Sequence, residues 1–368
     1  MSYEPSVSIL IPTCNRAGLL KSALESLKHI DYPSDRYEVI VIDDGSTDDT
    51  KETVMAFVGA YCNTPLPYHL QYLRQEKKGI SAAKNLGIAH SKGEIIVTTD
   101  DDCEFERDWL KNLLRPFENP EVGAVGGPDR AMPDDPLFTR CVDYTMTSFI
   151  GTAGTRGWHG QTRLSVGKYH PRGFNMAIRK DVLDKVRTFI EGFAPGEEIE
   201  LDYRIEKAGY QLCYAHDAYV WHKRRGNLWK FARQIFSRGR SRMDLARISS
   251  ELLEISHIIP AIMLVLGIIL LTLSFFNPVA YVVALSTFSC YLLILIISGI
   301  YAVRYVKDTR AIFMVPFLLL TQHILYGAGF LWGIIHGKRV CVNGISLLVP
   351  IPLIFLLQTL EMPFLFSR

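Results

Sequence analysis

Three long stretches without a formal charge restrict what the last third of this chain can fold into. Residues 258–276 and 278–303 contain no charged residue, and residues 311–335 contain His323 as their single ionisable group. A helix needs about 20 apolar residues to cross the hydrocarbon core of a bilayer. Each stretch approaches or exceeds that length, so the sequence predicts three membrane-spanning helices between residues 251 and 368.

A fourth apolar segment, residues 345–366, contains three prolines and Glu361. Proline removes a backbone donor and kinks a helix. The sequence therefore leaves open whether this segment crosses the membrane, re-enters it or lies at its surface.

The basic residues predict the orientation of the chain. Residues 221–247 carry nine Lys and Arg against one Asp, residues 304–310 are also basic, and the turn at 275–278 is neutral. Basic loops remain on the cytoplasmic side, so we expect the first 225 residues to face the cytosol at the cell membrane. No signal peptide is recognisable at the start. The basic residues at 337–339 would lie outside after three spans, a contradiction that disappears if the third stretch is re-entrant.

The overall composition argues against general nucleic-acid binding and against sites built from cysteine pairs. The 40 Lys and Arg nearly balance the 38 Asp and Glu, which argues against a general nucleic-acid binder. The seven cysteines form no C-x-x-C pair, which indicates neither a disulfide framework nor a zinc site. A reducing, cytosolic setting fits this pattern.

The first hundred residues alternate between short apolar strands and helical patterns. The strands are predicted at 7–12, 38–43, 68–73 and 94–100, and the helices at 17–29, 47–58 and 80–90. Such alternation predicts an α/β fold with a parallel sheet and right-handed crossovers. Ligands bind such sheets at the carboxyl ends of the strands, where Pro-Thr-Cys-Asn-Arg, Asp-Asp-Gly-Ser-Thr-Asp-Asp and Asp-Asp-Asp follow three of these strands.

The triplet Asp100, Asp101 and Asp102 follows a strand that we expect to be buried, where unpaired carboxylates are costly. In an extended chain Asp100 and Asp102 face the same side. Two hard oxygen ligands at this spacing suit Mg²⁺ or Mn²⁺ with open positions for a diphosphate. The alternatives are a solvated loop for this triplet and, for residues 43–49, a simple turn and helix cap.

Five segments follow one another along the first 210 residues: SILIPTCNR (8–16), VIVIDDGSTDDT (39–50), KGISAAKNLGIAHSKGEIIVTTDDDC (78–103), GFNMAIRK (173–180) and GEEIELDYRIEKAGY (196–210). This order resembles that of family 2 glycosyltransferases with the GT-A fold. The chain resembles that family over about residues 5–225. The apolar tail looks like that of membrane-bound members that build exopolysaccharides, such as succinoglycan, or lipid-linked glycans.

The resemblance implies three regions. Residues 1–225 would form the GT-A domain, a Rossmann-like mixed and mainly parallel sheet that binds a nucleotide-sugar. Residues 226–250 would form an amphipathic helix at the membrane interface, with a basic cytosolic loop as the alternative. Residues 251–368 would form the transmembrane region, with three helices or four.

The resemblance also implies roles for individual residues on the donor side. Asp43 matches the acid that recognises the base of the nucleotide. The other residues expected near the nucleotide are Pro12, Thr13, Arg16, Asp44, Gly79, Lys84, Asp100 and Asp101. Lys84 stands where Arg is common in the family, which keeps the charge but loses the planar fork of donors. Asp102 would be the direct metal ligand, with Asp100 nearer the ribose.

His222 matches a third metal ligand of some family members, although a single His is commonly structural. The general base would be Glu198, where the family usually has Asp, or alternatively Glu197. An ordinary exposed helix at 197–207 is the structural alternative. The residues expected on the acceptor or phosphate side are Arg172, Gly173, Asn175, Arg238 and Arg240.

These features predict an inverting transferase that uses Mn²⁺ or Mg²⁺ and a UDP-sugar, or a GDP-sugar, with a lipid-linked glycan hydroxyl as acceptor. Three other functions stay open. The first is a polyprenyl-phosphate transferase, whose anionic acceptor needs no base. The second is a processive polysaccharide synthase, although Gln234 does not begin the expected Q-x-x-R-W signature. The third is a nucleotide-sugar-binding membrane protein without turnover.

Overall fold

The computed structural model describes residues 3–60, 68–154, 169–336, 341–342 and 345–346. The chain divides into two compact units. The sheet unit comprises Met1–Asp135 and Thr155–Arg224, and the helical unit comprises Pro136–Gly154 and Arg225–Arg368. The predicted domain end at 225 lies beside this boundary. The excursion at 136–154, where the chain leaves the sheet unit, was not predicted.

The strands are β1 (Val7–Thr13), β2 (Tyr37–Asp44), β3 (His69–Gln75), β4 (Ile95–Thr99), β5 (Cys103–Phe105), β6 (Val122–Gly126), β7 (Asp129–Arg130), β8 (Asn175–Arg179), β9 (Gln211–Tyr214), β10 (Val220–His222), β11 (Cys341–Val342) and β12 (Ile345–Ser346). The helices are α1 (Ala17–Leu27), α2 (Thr50–Ala60), α3 (Ile80–His90), α4 (Trp109–Leu114), α5 (Leu137–Thr147), α6 (Phe149–Thr152), α7 (Lys180–Val186), α8 (Glu197–Lys207), α9 (Leu228–Ile248), α10 (Ile255–Ser274), α11 (Pro278–Val306) and α12 (Ala311–His336). Two 3₁₀ turns follow α4 and α9, at Arg115–Glu118 and Ser250–Leu252.

The main sheet of the sheet unit has seven strands in the order β3-β2-β1-β4-β8-β6-β9. The pairs formed by β1, β2, β3 and β4 are parallel, whereas β8 is antiparallel to both β4 and β6. The first four strands and three helices therefore form where the alternation predicted them. The mixed, mainly parallel sheet confirms the predicted fold class.

Both faces of this sheet are covered, which explains why β1 and β2 are buried along their whole length. Ile9 and Val39 belong to the core under α1, while Leu10 and Ile40 belong to a second core on the opposite face. Successive residues of a strand point to opposite faces. An unbroken apolar run is therefore the sequence expected of a central parallel strand.

A second, three-stranded sheet has the order β5-β10-β7. Strand β10 pairs antiparallel with β5, so that His222 lies opposite Cys103, and pairs parallel with β7. Because β5 begins immediately after the aspartate triplet, this small sheet determines what lies beside those carboxylates.

The helical unit contains three helices that are long and apolar enough to cross a membrane, α10, α11 and α12. Their bounds agree with the three predicted stretches to within three residues. The predicted interfacial helix is α9, which is 21 residues long. Of the fourth apolar segment, only Ile345–Ser346 is described, paired antiparallel with β11. The rest of that segment lies outside the described residues, and so do the basic residues at 337–339.

Candidate functional site

The carboxyl ends of β1, β2 and β4 meet at one edge of the sheet because β1 lies between the other two strands. Thr13, the last residue of β1, donates a hydrogen bond from Oγ1 to Asp101 Oδ2 at 2.7 Å. Arg16, just beyond β1, places Nη1 2.8 Å from both Asp101 Oδ1 and Asp102 Oδ2. Asn15 N, in the same loop, donates to Ser46 Oγ of the loop after β2 at 2.9 Å, so the three loops predicted to converge do so.

The aspartate triplet is a turn and not an extended segment, because Cys103 N donates to the Asp100 carbonyl at 3.3 Å. The expectation that Asp100 and Asp102 face the same side of an extended chain was therefore wrong. The two carboxylates are nevertheless close enough to interact. Burial, and then the charge of Asp102, raise the pKa of Asp100 above its ordinary value.

The repulsion within this triplet is offset by cations from distant parts of the chain. Burial raises the pKa of Asp101 to about 6, although the charge of Arg16 opposes the shift. Arg16 itself is held protonated, because its ion pairs with Asp101 and Asp102 outweigh its burial and raise its pKa. Removal of Arg16 would leave two buried carboxylates without this counter-charge.

A candidate metal centre surrounds Asp102. His222 Nε2 lies 3.2 Å from Asp102 Oδ1, and His222 Nδ1 lies 3.0 Å from Asp129 Oδ2. Burial acts to lower the pKa of His222, but its hydrogen bonds to the two carboxylates outweigh burial and raise the pKa to about 9. Carboxylate–imidazole–carboxylate is the arrangement in which one acid orients a His for metal ligation.

The donor set fits a hard divalent cation better than a soft one. Cys103 has its sulfur within the same cluster as Asp102 and His222. Burial raises the pKa of the Cys103 thiol well above its ordinary value, and a protonated thiol is a poor ligand. Asp102 and His222 could hold Mg²⁺ or Mn²⁺, with Asp100 close by.

Asp129 was missed by the sequence analysis. It lies on the two-residue strand β7 and also forms an ion pair with Arg224. Neither spacing nor composition connects it to His222 in the sequence. The parallel pairing of β7 with β10 creates that connection.

Asp43 and Asp44 are buried, and each accepts hydrogen bonds from nearby residues of the sheet unit. Asp43 accepts from Ser46 N at 2.7 Å and from the Tyr72 hydroxyl at 2.6 Å. Asp44 accepts from Gly79 N at 2.9 Å, where Gly79 has a φ of +96° that favours glycine. The hydrogen bond between Asp44 and Gly79 therefore fixes the loop before α3. Pro12 is buried in β1. The nucleotide roles of these residues stay predictions.

Lys84 and Glu197 form a buried ion pair with 3.1 Å between Nζ and Oε1. Gly173 closes over this pair, since a Cβ there would lie 2.6 Å from Lys84 Nζ. Burial, and then the charge of Glu198, raise the pKa of Glu197 to about 7. Lys84, expected near the nucleotide, is therefore paired with Glu197, the alternative general base.

Glu198, the next residue on α8, is half-buried rather than buried. Burial acts to raise its pKa, but the charges of Lys84 and Arg172 outweigh burial and lower it below the ordinary value. Glu198 also interacts with the charge of Asp100. Glu198 is thus accessible, ionised and beside the aspartate triplet, so it is placed to accept a proton, and its lowered pKa makes it a weaker base than an ordinary glutamate.

Asn175 is placed differently from the other residues predicted for the acceptor side. Its side chain is fully buried. Its amide accepts from Trp109 Nε1 at 2.9 Å and donates to the carbonyls of Pro128 and Ala218 at 3.2 and 2.6 Å. The Asn175 side chain therefore connects the segments that contain Trp109, Pro128 and Ala218.

Arg238 and Arg240 lie on α9, in the helical unit. Arg238 Nη1 lies 3.5 Å from Met146 Sδ on α5. Arg240 Nε is buried without a hydrogen-bond partner among the described residues. Their predicted contact with a phosphate stays a prediction.

Comparison with known proteins identifies the family. The profile described as "Glycosyl transferase family 2" matches residues 8–187. "Glycosyltransferase AglE" of Haloferax volcanii is 31% identical over 228 residues, which cover 61% of this chain and 69% of AglE. This chain belongs to glycosyl transferase family 2. Against several other relatives, including "Probable glycosyltransferase YdaM" of Bacillus subtilis at 29% identity, the match spans about half of the relative's length.

Two further proteins match nearly the whole of this glycosyltransferase. "Dolichyl N-acetyl-alpha-D-glucosaminyl phosphate 3-beta-D-2,3-diacetamido-2,3-dideoxy-beta-D-glucuronosyltransferase" of Methanococcus voltae is 23% identical, over 90% of this chain and 98% of its own. The mannosyltransferase PcManGT of Pyrobaculum calidifontis, solved with GDP-Man and Mn²⁺, has a TM-score of 0.62 and 22% identity over 90% of this chain and 88% of its own. This likeness confirms the GT-A fold.

The hydrogen bonds of Asn175 predict a large loss of stability on truncation. Asn175→Ala leaves the Trp109 indole and two carbonyls without their buried partner, at about 1–3 kcal/mol for each unsatisfied group. We expect the free energy of unfolding to fall by about 3–5 kcal/mol, measured as a lowered Tm. The control is Asn112→Ala, which removes one weak surface hydrogen bond to Asp217. Equal Tm values for the two variants would contradict this role.

Proposed function

We propose that this glycosyltransferase moves a sugar from a nucleotide-sugar to a hydroxyl of a lipid-linked glycan, with a divalent metal and inversion at the anomeric carbon. The observation that carries the proposal is Glu198, an ionised and half-buried carboxylate beside the aspartate triplet. A hydroxyl acceptor has a proton to lose, and Glu198 is the group suited to take it.

On the donor side, Asp102 and His222 would hold the metal while Arg16 holds Asp101. When bound, the metal would offset the charge that develops on the departing nucleoside diphosphate. Asp43 and Asp44 order the loops after β2, against which the nucleotide would lie. The donor is a UDP-sugar or a GDP-sugar.

On the acceptor side, Lys84 and Arg172 keep Glu198 ionised until the hydroxyl arrives. Glu198 then takes the hydroxyl proton, and the oxygen attacks the anomeric carbon opposite the departing diphosphate. Attack from the opposite face inverts the configuration. The Methanococcus voltae relative is named for transfer to a sugar carried on dolichyl phosphate, which supports a hydroxyl of a lipid-linked sugar over a bare polyprenyl phosphate.

The membrane part of the proposal rests on the three apolar helices and on the basic residues around them. Multi-pass insertion in the cell membrane, with the sheet unit in the cytosol, would bring the lipid-linked acceptor and the soluble donor to one enzyme. The positive-inside pattern supports this orientation.

A panel of donors tests the function directly. The purified protein is incubated with Mn²⁺, native membrane lipid extract and single UDP-, GDP- and dTDP-sugars, and the release of nucleoside diphosphate is measured. We expect one donor class to give release that depends on the lipid extract. No lipid-dependent release with any donor would contradict the proposal.

The metal centre predicts that binding of Mn²⁺ is coupled to proton release. A neutral imidazole is the ligand, and the pKa of His222 is raised to about 9, so His222 must lose its proton below that pH. We expect close to one proton released per ion at pH 7, and an affinity that rises about tenfold per pH unit up to about pH 9. Calorimetry in buffers of different ionisation enthalpy, with nucleoside diphosphate present, measures both quantities.

Three variants sharpen this measurement. Asp102→Ala should abolish Mn²⁺ binding and transfer, whereas His222→Ala should weaken binding and remove its pH dependence. The control is His216→Ala, an exposed imidazole paired with Asp217, which should change neither. Near-native transfer by Asp102→Ala in EDTA would show that the metal role is wrong.

Substitutions at the two neighbouring glutamates should have different effects, one on the transfer rate and the other on stability. Glu198→Gln keeps the shape but removes the basicity, so the transfer rate should fall about 10²–10⁴-fold with donor affinity unchanged. Glu197→Gln removes the counter-charge of the buried Lys84, so we expect mainly a loss of stability, which reaches about 3–5 kcal/mol above the Glu197 pKa of about 7, where that carboxyl is ionised. Transfer kinetics and thermal unfolding separate the two effects. Unchanged transfer in both variants and in the double variant would indicate a phosphate acceptor that needs no base.

A further inference from the structure

The third apolar helix, α12, contacts the other two in a way that a spanning helix would not. Helices α10 and α11 follow each other through the turn at 275–277 and pack as a hairpin. We call the residues nearest this turn, 262–290, the tip of the hairpin. No residue of the tip is buried. The buried residues of α10 and α11 are His257, Ala261, Leu295, Ser298, Gly299, Ala302 and Val306.

In contrast, α12 has buried residues on one side from its first turn to its last. Its buried residues are Ala311, Val315, Leu318, Leu319, Gln322, Gly327, Gly329, Phe330 and Gly333. A third span packed alongside the hairpin would bury residues along the whole length of its neighbours. The burial pattern indicates instead that α12 crosses the hairpin obliquely on the half away from the tip, where the Tyr291 hydroxyl of α11 lies 2.7 Å from His323 Nδ1.

Two close contacts give the direction of α12. A Cβ on Gly299 would lie 2.6 Å from the carbonyl of Ile312, and a Cβ on Gly327 would lie 2.6 Å from the carbonyl of Pro260. At 1.5 Å per residue, Ile312 and Gly327 are about 22 Å apart along α12. Their partners Gly299 and Pro260 are about 31 and 21 Å from the tip turn. While α12 advances about 22 Å it therefore moves only about 10 Å towards the tip.

The last turns of α12 come no closer to the tip. Phe330 and Ile334 pack in one cluster with Leu253 and Ile258, which precede α10 or lie in its first turn. The helix is unbroken over 26 residues, so it cannot enter the membrane and return. It must either cross the bilayer or lie along its surface.

Helix α9 provides an independent observation, because it packs lengthwise on the second half of α12. A Cβ on Gly239 of α9 would collide with the Tyr326 carbonyl of α12. A Cβ on Gly329 of α12 would likewise collide with the Phe236 carbonyl of α9. Arg247 donates from Nη2 to the Gly333 carbonyl at 2.8 Å. The arginines of α9 are Arg233, Arg238, Arg240, Arg242 and Arg247. If α12 crossed the bilayer, it would carry these arginines into hydrocarbon, where charged side chains are costly.

The excursion at 136–154 leads to the same conclusion. Arg140 on α5 donates to the Val306 carbonyl, and Asp143 accepts from the Tyr305 hydroxyl at 2.7 Å. At the other end of the excursion, the Ile150 carbonyl lies 3.0 Å from His323 Nε2, in the middle of α12. A spanning α12 would place α6 near the centre of the bilayer.

We propose that α12 lies along the membrane surface, where its exposed side faces the lipid acyl chains, and that the hairpin supplies the two membrane spans. This rests on the proposed insertion of α10 and α11. The exposed apolar residues of α12 are Phe313, Phe317, Ile324, Trp332 and Ile335, a stripe at helical spacing. Helices α5 and α9 cover the opposite side, which keeps the arginines of α9 at the level of the lipid phosphates.

The charge pattern of the sequence agrees with two spans. With α12 on the surface, the basic residues at 337–339 follow on the same side as α9 and the basic segment 304–310. The positive-inside rule is then satisfied throughout. The contradiction that three spans create at 337–339 disappears.

Labelling of single introduced cysteines from each side of the membrane tests this topology in the full-length protein. The variants are Phe276→Cys in the tip turn, Thr309→Cys between α11 and α12, and His336→Cys at the end of α12. A membrane-impermeant maleimide is added to sealed vesicles of known and opposite orientation, and the unsubstituted chain gives the background from the native cysteines. We expect His336→Cys to be labelled from the same side as Thr309→Cys and protected on the side that labels Phe276→Cys.

The outcomes separate this inference from the proposed function. Labelling of His336→Cys from the side of Phe276→Cys would show that α12 crosses the bilayer and would overturn the inference alone. Labelling of Phe276→Cys and Thr309→Cys from one side would show that the hairpin does not span, which overturns the proposed insertion as well.

A depth measurement gives a second readout. Ile324 in the middle of α12 and Leu266 in the middle of α10 are both exposed, so a fluorophore on a cysteine at each position reports its depth. We expect Ile324→Cys to be quenched by a nitroxide near the lipid headgroup and Leu266→Cys by one deep in the acyl chain. Equal quenching of both labels by the deep nitroxide would contradict a surface position for α12.

Discussion

The site depends on the balance between negative charge concentrated at one sheet edge and a few cations from distant parts of the chain. The carboxylates of Asp101 and Asp102 follow a buried strand and repel one another. Arg16 lies 85 positions before Asp101 in sequence and neutralises part of this charge. Lys84 does the same for Glu197, 113 positions away. Each cation is held by the fold, so the parallel sheet is a condition for the chemistry.

Local patterns in the sequence were sufficient for the first half of the sheet. The strands β1 to β4 and the helices between them follow from apolar runs and helical spacing, which are properties of neighbouring residues. The loops that converge on the edge follow from the same pattern, since parallel strands end on the same side. Asp43, Arg16 and the aspartate triplet could therefore be placed together before the structure was known.

Long-range pairings could not be predicted in this way. Asp129 orients His222 because two very short strands pair in one register, and neither strand has a sequence signal strong enough to locate it. Asn175 matched a family segment, but its full burial follows from contacts with Trp109 and with two distant carbonyls. The turn at Asp100 likewise depends on β5, whose three residues are too few to define a periodicity.

Hydropathy found α12 but could not decide its direction in the membrane. Length and composition measure the cost of placing a helix in lipid, and an apolar helix of 26 residues satisfies that criterion in either orientation. The neighbours of the helix carry the missing information. A helix that is packed against α5 and the arginine-rich α9 can enter hydrocarbon only together with the charged residues of those helices. The surface position is favoured because it leaves them at the headgroups while one apolar stripe is still buried in lipid.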